Sequence, residues 1–284
     1  MSQIVWLASY PKSGNTWVRA FLTNYLSGDA QPAAIDSLDV GVIASSRNCF
    51  DEWVGVEAAE LDDPLVNRIR PAVYRAMARN ASTTLFLKVH DAWSLTDRAE
   101  SLFPADVTRC AIYIVRNPLD VAVSAAHHNG SSLLESVGNL CDRFHALGRS
   151  ERGVRSQLPA TLRCWSGHVR SWLEESALPV HPVRYEDLLD HPEETFGALV
   201  CAAGLPHDSA RLRVAIANSR FTELAGQERA RGFHERLEVA SAPFFRRGKA
   251  GTWRDELPPE LVSRLLEAHG EMMIRLGYEI SRVP

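Results

Sequence analysis

Short apolar runs, separated by longer stretches with helical spacing, constrain the fold of this chain more than any other sequence feature. Four of these runs suit strands that are buried on both faces: 3–8, 84–89, 110–115 and 180–184. Apolar residues at helical spacing predict helices over 15–27, 64–80, 118–129, 133–147, 161–174, 192–203 and 258–276. A strand–helix alternation favours a parallel sheet, because a parallel crossover needs a long connection. The pattern therefore predicts an α/β fold with a central parallel sheet flanked by helices.

Composition and charge exclude several classes of protein. The chain has 284 residues, 45% of them hydrophobic, and no Pro/Gly/Ser-rich linker divides it, so we predict one domain over 1–284. A net charge of -4 gives no overall attraction to nucleic acid. No apolar run approaches the roughly 18 residues of a membrane span. The five cysteines are scattered and no signal-peptide pattern is present, which indicates reduced thiols in the cytoplasm.

The stretch SYPKSGNTW, residues 9–17, joins the first predicted strand to the first predicted helix. A helix N-terminus offers unpaired N–H groups and the positive end of its dipole, so this junction suits an anion. Gly14 permits close approach of the backbone, and Lys12 adds a movable charge. The short side chains of Ser13, Asn15 and Thr16 provide further hydrogen-bond donors. The stretch predicts an anion-binding loop; the alternative is an ordinary turn with a surface lysine.

A second cation follows the strand CAIYIV. Arg116 ends that strand, and Asn117-Pro118 suits the start of a helix. Because parallel strands end at one edge of the sheet, Arg116 is expected beside the first loop. Ser124 lies two turns into the helix and can still reach that edge. A guanidinium there suits a second phosphate, and the alternative is a structural ion pair.

The stretch FLKVHDAW carries a candidate base. Lys88 and His90 point to the same side of the predicted strand, near its end. A neighbouring cation biases an imidazole toward its neutral form, which suits a general base; the alternative is a structural histidine. No metal-ligand spacing is present, and the adjacent His127 and His128 are expected on the surface.

Four stretches of this chain resemble the cytosolic-type sulfotransferase family. Members of that family move a sulfuryl group from 3′-phosphoadenosine 5′-phosphosulfate (PAPS) to a hydroxyl or amine. YPKSGNTW (10–17) is similar to the 5′-phosphosulfate loop, and IVRNPLDVAVS (114–124) is similar to the 3′-phosphate signature. RYEDL (184–188) matches a further block, and FFRRGKAGTW (244–253) resembles the late motif that closes over the 3′-phosphate. The resemblance implies a P-loop-NTPase-like sulfotransferase fold.

The resemblance also implies the catalytic residues of an in-line transfer. Lys12 would stabilise the charge that develops on the oxygen between the sulfuryl group and the leaving 5′-phosphate. His90 would take the proton of the acceptor, and Lys88 would assist in the same site. Ser124 would hold the 3′-phosphate and restrain Lys12 until the acceptor arrives.

The cofactor implied by the resemblance is PAPS, with PAP as its desulfated product and no metal. The residues that would hold its 5′ end are Lys12, Ser13, Gly14, Asn15 and Thr16. The residues that would hold its adenine and 3′-phosphate are Trp17, Arg116, Ser124, Tyr185, Ser219, Phe221, Arg246, Arg247 and Gly248. Core packing is the alternative for Trp17 and Phe221, and a strand-to-helix junction is the alternative for RYEDL. A solvated basic pair is the alternative for the two late arginines.

Some positions depart from the family pattern. Thr252 replaces the acidic residue that is usual before the tryptophan of the late motif, and SRF (219–221) replaces the more familiar TSF. The short dimer motif of many animal members is absent after Trp253, so a monomer or a homodimer of another kind is expected.

Two rival functions remain open at the level of sequence. A P-loop kinase would use ATP and Mg²⁺, but here the lysine precedes the glycine and no G-K-[ST] follows. A non-catalytic nucleotide-binding protein would not need both Lys12 and His90.

The predicted acceptor is the hydroxyl of a small molecule that enters opposite the cofactor. It would lie beneath residues 28–63 and 130–160, and weak periodicity predicts lids or surface excursions over 28–63 and 225–245. Aromatic residues with either acceptor-lining or core roles are Phe50, Trp53, Trp93 and Phe144.

Overall fold

A parallel sheet of five strands forms the centre of the computed structural model, which describes residues 3–148 and 156–279. Its strands are β1 (Ile4–Ser9), β2 (Val42–Ile43), β3 (Leu85–Val89), β4 (Thr108–Val115) and β7 (Val180–Arg184). A separate antiparallel pair consists of β5 (Ala146–Leu147) and β6 (Ala160–Thr161). The helices are α1 (Asn15–Ser27), α2 (Arg47–Val54), α3 (Asp63–Asn80), α4 (Pro118–Asn129), α5 (Leu133–Cys141), α6 (Trp165–Arg170), α7 (Tyr185–Asp190), α8 (Pro192–Ala202), α9 (Ser209–Asn218), α10 (Phe221–Arg231) and α11 (Pro259–Arg275).

The strand order in the sheet is β2-β3-β1-β4-β7, and every pairing in it is parallel. The chain therefore crosses from β1 to β3 on one side and to β4 on the other, which places β1 in the middle. The carboxyl ends of β1, β3 and β4 meet at one edge of the sheet, because all three strands run in the same direction. The predicted α/β fold is confirmed.

Alternating side chains of β1 serve two separate cores, one on each face of the sheet. Ile4, Trp6 and Ala8 pack into the core that includes α11, whereas Val5 and Leu7 pack into the core that includes α1 and α8. All of these side chains are fully buried. A strand between two hydrophobic layers has no polar face, which explains its continuous apolar sequence.

Two helices differ from the sequence prediction. Helix α5 ends at Cys141, whereas the sequence predicted an end at 147. Residues 146–147 instead form β5, which pairs antiparallel with β6. The helix predicted over 161–174 begins only at Trp165 and ends in a π-helical turn. Arg163 has a positive φ of 62°, so the chain before Trp165 cannot be helical.

The two segments predicted as lids contain regular structure that weak periodicity did not reveal. Residues 28–63 include β2, which pairs with β3 and extends the sheet, and α2. Residues 225–231 belong to α10, and irregular chain follows from 232 to 251. Helices α7, α9 and α10 were not predicted as separate elements. Within the described ranges, no helix combines the length and the apolar character that crossing a membrane requires.

Candidate active site

The loop between β1 and α1 has the backbone shape of an anion cradle. Lys12 and Gly14 both have positive φ, 69° and 104°, so the chain turns sharply before the helix. Gly14 is the N-cap of α1 and no side chain caps this end, which leaves the first N–H groups of the helix available to a ligand. A Cβ on Gly14 would lie 2.6 Å from the ring of Tyr185, so only glycine fits here.

The short polar residues of this loop divide into two groups. The amide of Asn15 donates to the carbonyl of Leu7 at 2.8 Å and to the hydroxyl of Ser9 at 3.1 Å. This side chain fastens the loop to β1, and only its backbone N–H remains for the predicted cofactor contact. Ser13, in contrast, is fully buried and its hydroxyl has no partner among the described residues.

Lys12 lies beneath an aromatic ring at the entrance of the cradle. Its ammonium lies 3.9 Å from the centroid of the Phe244 ring. Burial, and the repulsion of nearby Lys88, lower the pKa of Lys12 to about 7. A cavity of about 10 Å³ adjoins it and is lined by Ser124, His128 and Arg246 among others. Phe244 thus lies over the Lys12 ammonium and also lines this small cavity.

His90 lies at the end of β3 in a tautomer that suits a base. Its Nδ1 lies 2.9 Å from the carbonyl oxygen of Ser9, and because a carbonyl can only accept, Nδ1 carries the proton. The lone pair is therefore on Nε2. Burial, and the charge of Lys88, lower the pKa of His90 to about 3, so the ring is neutral. The carbonyl of His90 accepts a hydrogen bond from Nε2 of the buried His168 at 3.0 Å.

A carboxylate that the sequence analysis did not single out lies among the cations. Glu235 accepts hydrogen bonds from Lys88 at 3.2 Å, from the hydroxyl of Thr16 at 3.1 Å and from Arg19. Burial opposes its ionisation, but Lys88 and Arg19 outweigh burial and lower the pKa of Glu235 to about 2. Burial also lowers the pKa of Lys88.

Arg116 joins the first loop to the late basic motif. Its guanidinium lies 4.4 Å from the ring centroid of Tyr185, and it donates to the carbonyls of Lys12 at 3.4 Å and Lys249 at 3.2 Å. Its Nε is buried and has no partner among the described residues. The structure thus brings Arg116 beside the loop of Lys12, where the strand order placed it.

The aromatic residues that were predicted to hold the adenine pack against one another or against a glycine. Trp17 meets Tyr185 and Phe196 edge to face, at 5.5 Å and 5.6 Å, and its buried indole N–H has no described partner. Phe221 lies against Gly248, where a Cβ would fall 2.2 Å from the ring. At the end of α9, the hydroxyl of the fully buried Ser219 donates to the carbonyl of Ala215 at 2.8 Å.

The late arginines are held by acidic side chains. Arg246 donates to Glu256 at 2.6 Å, and Arg247 donates to Asp255 at 2.9 Å. A phosphate at this place would share these arginines with their carboxylates.

Asp120 holds the end of the late motif, where Thr252 replaces the acidic residue that is usual in the family. Its carboxylate accepts hydrogen bonds from the N–H of Gly251 at 2.7 Å, from the hydroxyl of Thr252 at 3.0 Å and from the N–H of Trp253 at 3.1 Å. Asp120 is the fifth residue of RNPLD, so the second motif holds the fourth directly. Thr252 therefore donates a hydrogen bond to the carboxylate of Asp120, and the acidic group at this place comes from Asp120.

The expectation that His127 and His128 lie on the surface is met only in part, because both side chains are half-buried and make specific contacts. His127 lies 2.7 Å from a carboxylate oxygen of Glu256 and 3.0 Å from the hydroxyl of Ser241. His128 meets Phe244 edge to face at 5.6 Å. Burial, and the charge of Lys12, lower the pKa of His128 to about 4. The helical register explains this, because His128 lies one turn beyond Ser124 on the same face of α4.

The aromatic residues expected near the acceptor fall into two groups. Phe50 is buried in a small core with α3, and Trp93 packs against the main core. Trp53 and Phe144 are exposed, Phe144 by 76%. Residues 149–155 of the expected acceptor segment 130–160 lie outside the described residues. A larger cavity, about 410 Å³, is lined by Asp63, Asn67 and Ser94 among others and contains no predicted cofactor residue.

The described residues fit an anionic nucleotide. The hydroxyl of Ser13, Nε of Arg116 and the indole N–H of Trp17 are buried donors without described partners. Such donors are costly unless an acceptor satisfies them, and phosphate and sulfuryl oxygens are acceptors only. Among the described residues, no group of three or more His, Cys, Asp or Glu could hold a metal ion.

Comparison with known proteins yields one family and a consistent set of relatives. Residues 2–277 match the sulfotransferase domain. Sulfotransferase 1E1 of Mus musculus is 23% identical over 282 residues, covering 94% of this chain and 82% of its own length. Sulfotransferase 1 family member D1 of Rattus norvegicus is 23% identical over 265 residues, covering 88% and 76%.

Solved structures share the fold. Mouse sulfotransferase SULT7A1 complexed with PAP has a TM-score of 0.58 at 18% identity, covering 95% of this chain and 84% of that one. Retinol dehydratase in complex with androsterone and the inactive cofactor PAP has a TM-score of 0.60 at 20% identity, covering 99% and 82%.

Proposed function

The chain belongs to the sulfotransferase domain family and is a PAPS-dependent sulfotransferase, and we propose that it sulfates a hydroxyl group of a small molecule. In this proposal His90 is the general base and Lys12 stabilises the leaving group. The proposed residues for PAPS are those of the loop Lys12–Trp17 together with Arg116, Ser124, Tyr185, Ser219, Phe221, Arg246, Arg247 and Gly248.

The observation that carries the proposed mechanism is a neutral imidazole beside Lys88 at the end of β3, with Lys12 near Lys88 in the loop after β1. Lys88 lowers the pKa of both His90 and Lys12, so the three groups share one electrostatic environment. Nε2 of His90 has a lone pair because Nδ1 donates to Ser9. A base and two cations in one site are needed for proton removal with sulfuryl transfer, whereas binding alone needs no base.

The residues act in a single displacement. Nε2 of His90 takes the proton of the acceptor hydroxyl while the acceptor oxygen forms its bond to sulfur. The bond between sulfur and the bridging oxygen breaks, and its electrons stay on the oxygen of the 5′-phosphate. The ammonium of Lys12 stabilises the charge that appears there. The charge of the bound donor also raises the pKa of His90 and of Lys12 from their values in the free protein.

A kinase reaction with ATP and Mg²⁺ is the rival for the same loop. Arg116 and the late motif 244–253 favour PAPS, since together they offer a second anion site away from the loop. ATP has no phosphate at its 3′ position and would leave that second site empty.

The surroundings of the reaction complete the proposal. We propose the cytoplasm as the location, because all five cysteines are free thiols. The proposed assembly is a monomer or a homodimer without the family-type dimer motif, and nucleic acid and membrane are not proposed as partners.

Thermal unfolding with nucleotides tests the function, and His90→Ala tests the base. PAP at about 100 times its Kd adds roughly 2.7 kcal/mol to the stability of the folded state, which raises Tm by several degrees. ATP–Mg²⁺ and adenosine 5′-phosphosulfate, which lacks the 3′-phosphate, are expected to raise Tm much less. His90→Ala is expected to keep the PAP shift and to lose transfer from labelled PAPS. A shift with ATP–Mg²⁺ and none with PAP would overturn the assignment of PAPS and favour the kinase.

A further inference from the structure

One carboxylate lies between two cations of the site. The two oxygens of Glu235 accept hydrogen bonds from Arg19 on one side and from Lys88 and Thr16 on the other. The side chain of Glu235 is only 17% exposed. Thr16 is proposed to contact the phosphosulfate end of PAPS, and Lys88 is proposed to assist the transfer in the same site. Glu235 therefore uses hydrogen-bond donors that the cofactor needs.

The donors of this point belong to fixed parts of the fold. Thr16 and Arg19 lie on α1, and Lys88 lies on β3. Arg19 is buried, and its Nε donates to the carbonyl of Val40 at 3.1 Å. A Cβ on Gly41 would lie 2.9 Å from the Arg19 side chain, so the stem of the arginine is tightly packed. The guanidinium is thus held in place by contacts other than Glu235.

The carboxylate, in contrast, comes from chain without regular structure. Glu235 lies in residues 232–251, between α10 and the 3-10 turn at Thr252–Asp255. Phe244, which covers Lys12, belongs to the same stretch. Glu235 already accepts hydrogen bonds from Thr16 and Lys88, so it must leave before the phosphosulfate group can bind these donors. Because Glu235 and Phe244 lie in the same stretch, this displacement requires the stretch to move.

We propose that Arg19, Thr16 and Lys88 form the binding site for the phosphosulfate end of PAPS, and that Glu235 occupies this site until PAPS displaces it. The proposal rests on the proposed function and adds Arg19 to the cofactor-binding residues. Two anions cannot share these three donors, since like charges in a buried place repel strongly. Glu235 resembles the incoming group in charge and in its paired acceptor oxygens.

The displacement links cofactor binding to opening of the segment that covers Lys12. In the free protein, Glu235 neutralises Arg19 and Lys88, which would otherwise repel one another. When PAPS takes over these two cations, the Glu235 carboxylate loses its partners and leaves with residues 232–251.

Calorimetric titration with PAP and PAPS tests the displacement. Glu235→Gln is expected to bind PAPS at least about tenfold more tightly than the wild type, a difference of about 1.4 kcal/mol. The free Glu235→Gln protein is expected to unfold at a lower temperature, because its cations are no longer neutralised. Glu238→Gln is the matched control, since Glu238 is an exposed acid of the same segment, and it should bind like the wild type. Unchanged or weaker binding in Glu235→Gln alone would overturn the proposal.

Arg19 is tested where Glu235 no longer competes. Adding Arg19→Gln to Glu235→Gln is expected to weaken PAPS binding at least about tenfold relative to Glu235→Gln. Equal binding by the two variants would show that Arg19 serves only Glu235.

A sulfate titration separates this proposal from the proposed function. If no variant bound PAP, the proposed function would fail, yet the anion site could still be examined by thermal unfolding in sodium sulfate. Glu235→Gln should then gain more Tm from sulfate than Glu238→Gln does. An equal gain would overturn the anion site, because sulfate stabilises folded proteins in general.

Discussion

At the scale of single residues, the site depends on which groups carry protons. His90 is neutral, with the proton on Nδ1, because Ser9 can only accept and because burial beside Lys88 disfavours a second charge. Lys12 titrates near neutrality for a related reason, since burial and Lys88 both disfavour its ammonium. Burial and the charge of Lys88 therefore set the protonation of both the proposed base, His90, and the proposed leaving-group cation, Lys12.

This arrangement predicts the pH dependence of kcat/KM for PAPS, which reports the free enzyme. The pKa of Lys12 is lowered to about 7, so its ammonium is present below that pH and is lost above it. We expect kcat/KM to fall about tenfold per pH unit above about pH 7. The pKa of His90 is lowered to about 3, so no acid limb from this residue is expected near pH 6.5.

Lys12→Arg provides the control for this profile. A guanidinium stays protonated to about pH 12, so the variant should be less active but should lose the alkaline limb. A limb that persisted unchanged in Lys12→Arg would assign it to another group, and Lys88 would be the next candidate.

The sequence predicted those site residues that belong to a motif. It missed the residues that reach the site only through the tertiary fold. Lys12, His90 and Arg116 each stand at a strand end, so sequence position was enough to place them at the sheet edge. Glu235 reaches the same place from a stretch more than 100 residues away, and no motif or spacing in the sequence predicts this contact. The same is true of the contact between His127 and Glu256.

At the scale of elements, the β1–loop–α1 unit depends on a backbone that only glycine adopts without strain. Gly14 has a φ of 104°, and a Cβ there would meet Tyr185 at 2.6 Å. We expect Gly14→Ala to lower the free energy of unfolding by about 1–3 kcal/mol and to weaken PAP binding. Urea unfolding and calorimetric titration measure the two effects.

Gly226→Ala is the matched control for the same substitution. Gly226 lies inside α10, its φ is not positive, and a Cβ added there would have no neighbouring atom within 4 Å. Alanine should therefore stabilise the helix by about 0.5–1 kcal/mol. Equal effects at both positions would contradict the strain assigned to Gly14.

Elements with a complete local signal were predicted to the residue. The bounds of α1 and α4 agree with the prediction, because Gly14 and Gly28 flank the first and Asn117-Pro118 and Gly130 flank the second. The bounds of α5 and α6 do not agree. There the limits come from the pairing of β5 with β6, which is a contact between distant residues.

At the scale of the whole molecule, a buried ion pair connects α3 to the chain just after the base. Arg70 donates to both carboxylate oxygens of Asp91, at 2.8 Å and 3.0 Å, and the two side chains are 1% and 4% exposed. Trp172 donates to the carbonyl of Asp91 at 3.0 Å. The residue next to His90 is thereby held from two sides.

Removing one partner of this pair should destabilise the whole domain. We expect Arg70→Leu to lower the free energy of unfolding by about 3–5 kcal/mol, because it leaves the Asp91 carboxylate buried and unpaired. The urea midpoint at constant slope measures this loss.

The double variant Arg70→Met, Asp91→Leu should regain most of that stability, since no charge remains buried. If the double variant were as unstable as Arg70→Leu, packing and not charge would explain the loss.

The sequence by itself determined the α/β class, the parallel sheet and the loops at its edge. Hydrophobic periodicity and helix caps act over a few residues, and the carboxyl ends of parallel strands must share one edge. Only the tertiary structure decided which side chains face one another there. Glu235 among Arg19, Thr16 and Lys88, Asp120 beneath the late motif, and His128 against Phe244 all depend on contacts between distant segments. Such contacts arise from packing and burial, which leave no periodic mark on the chain.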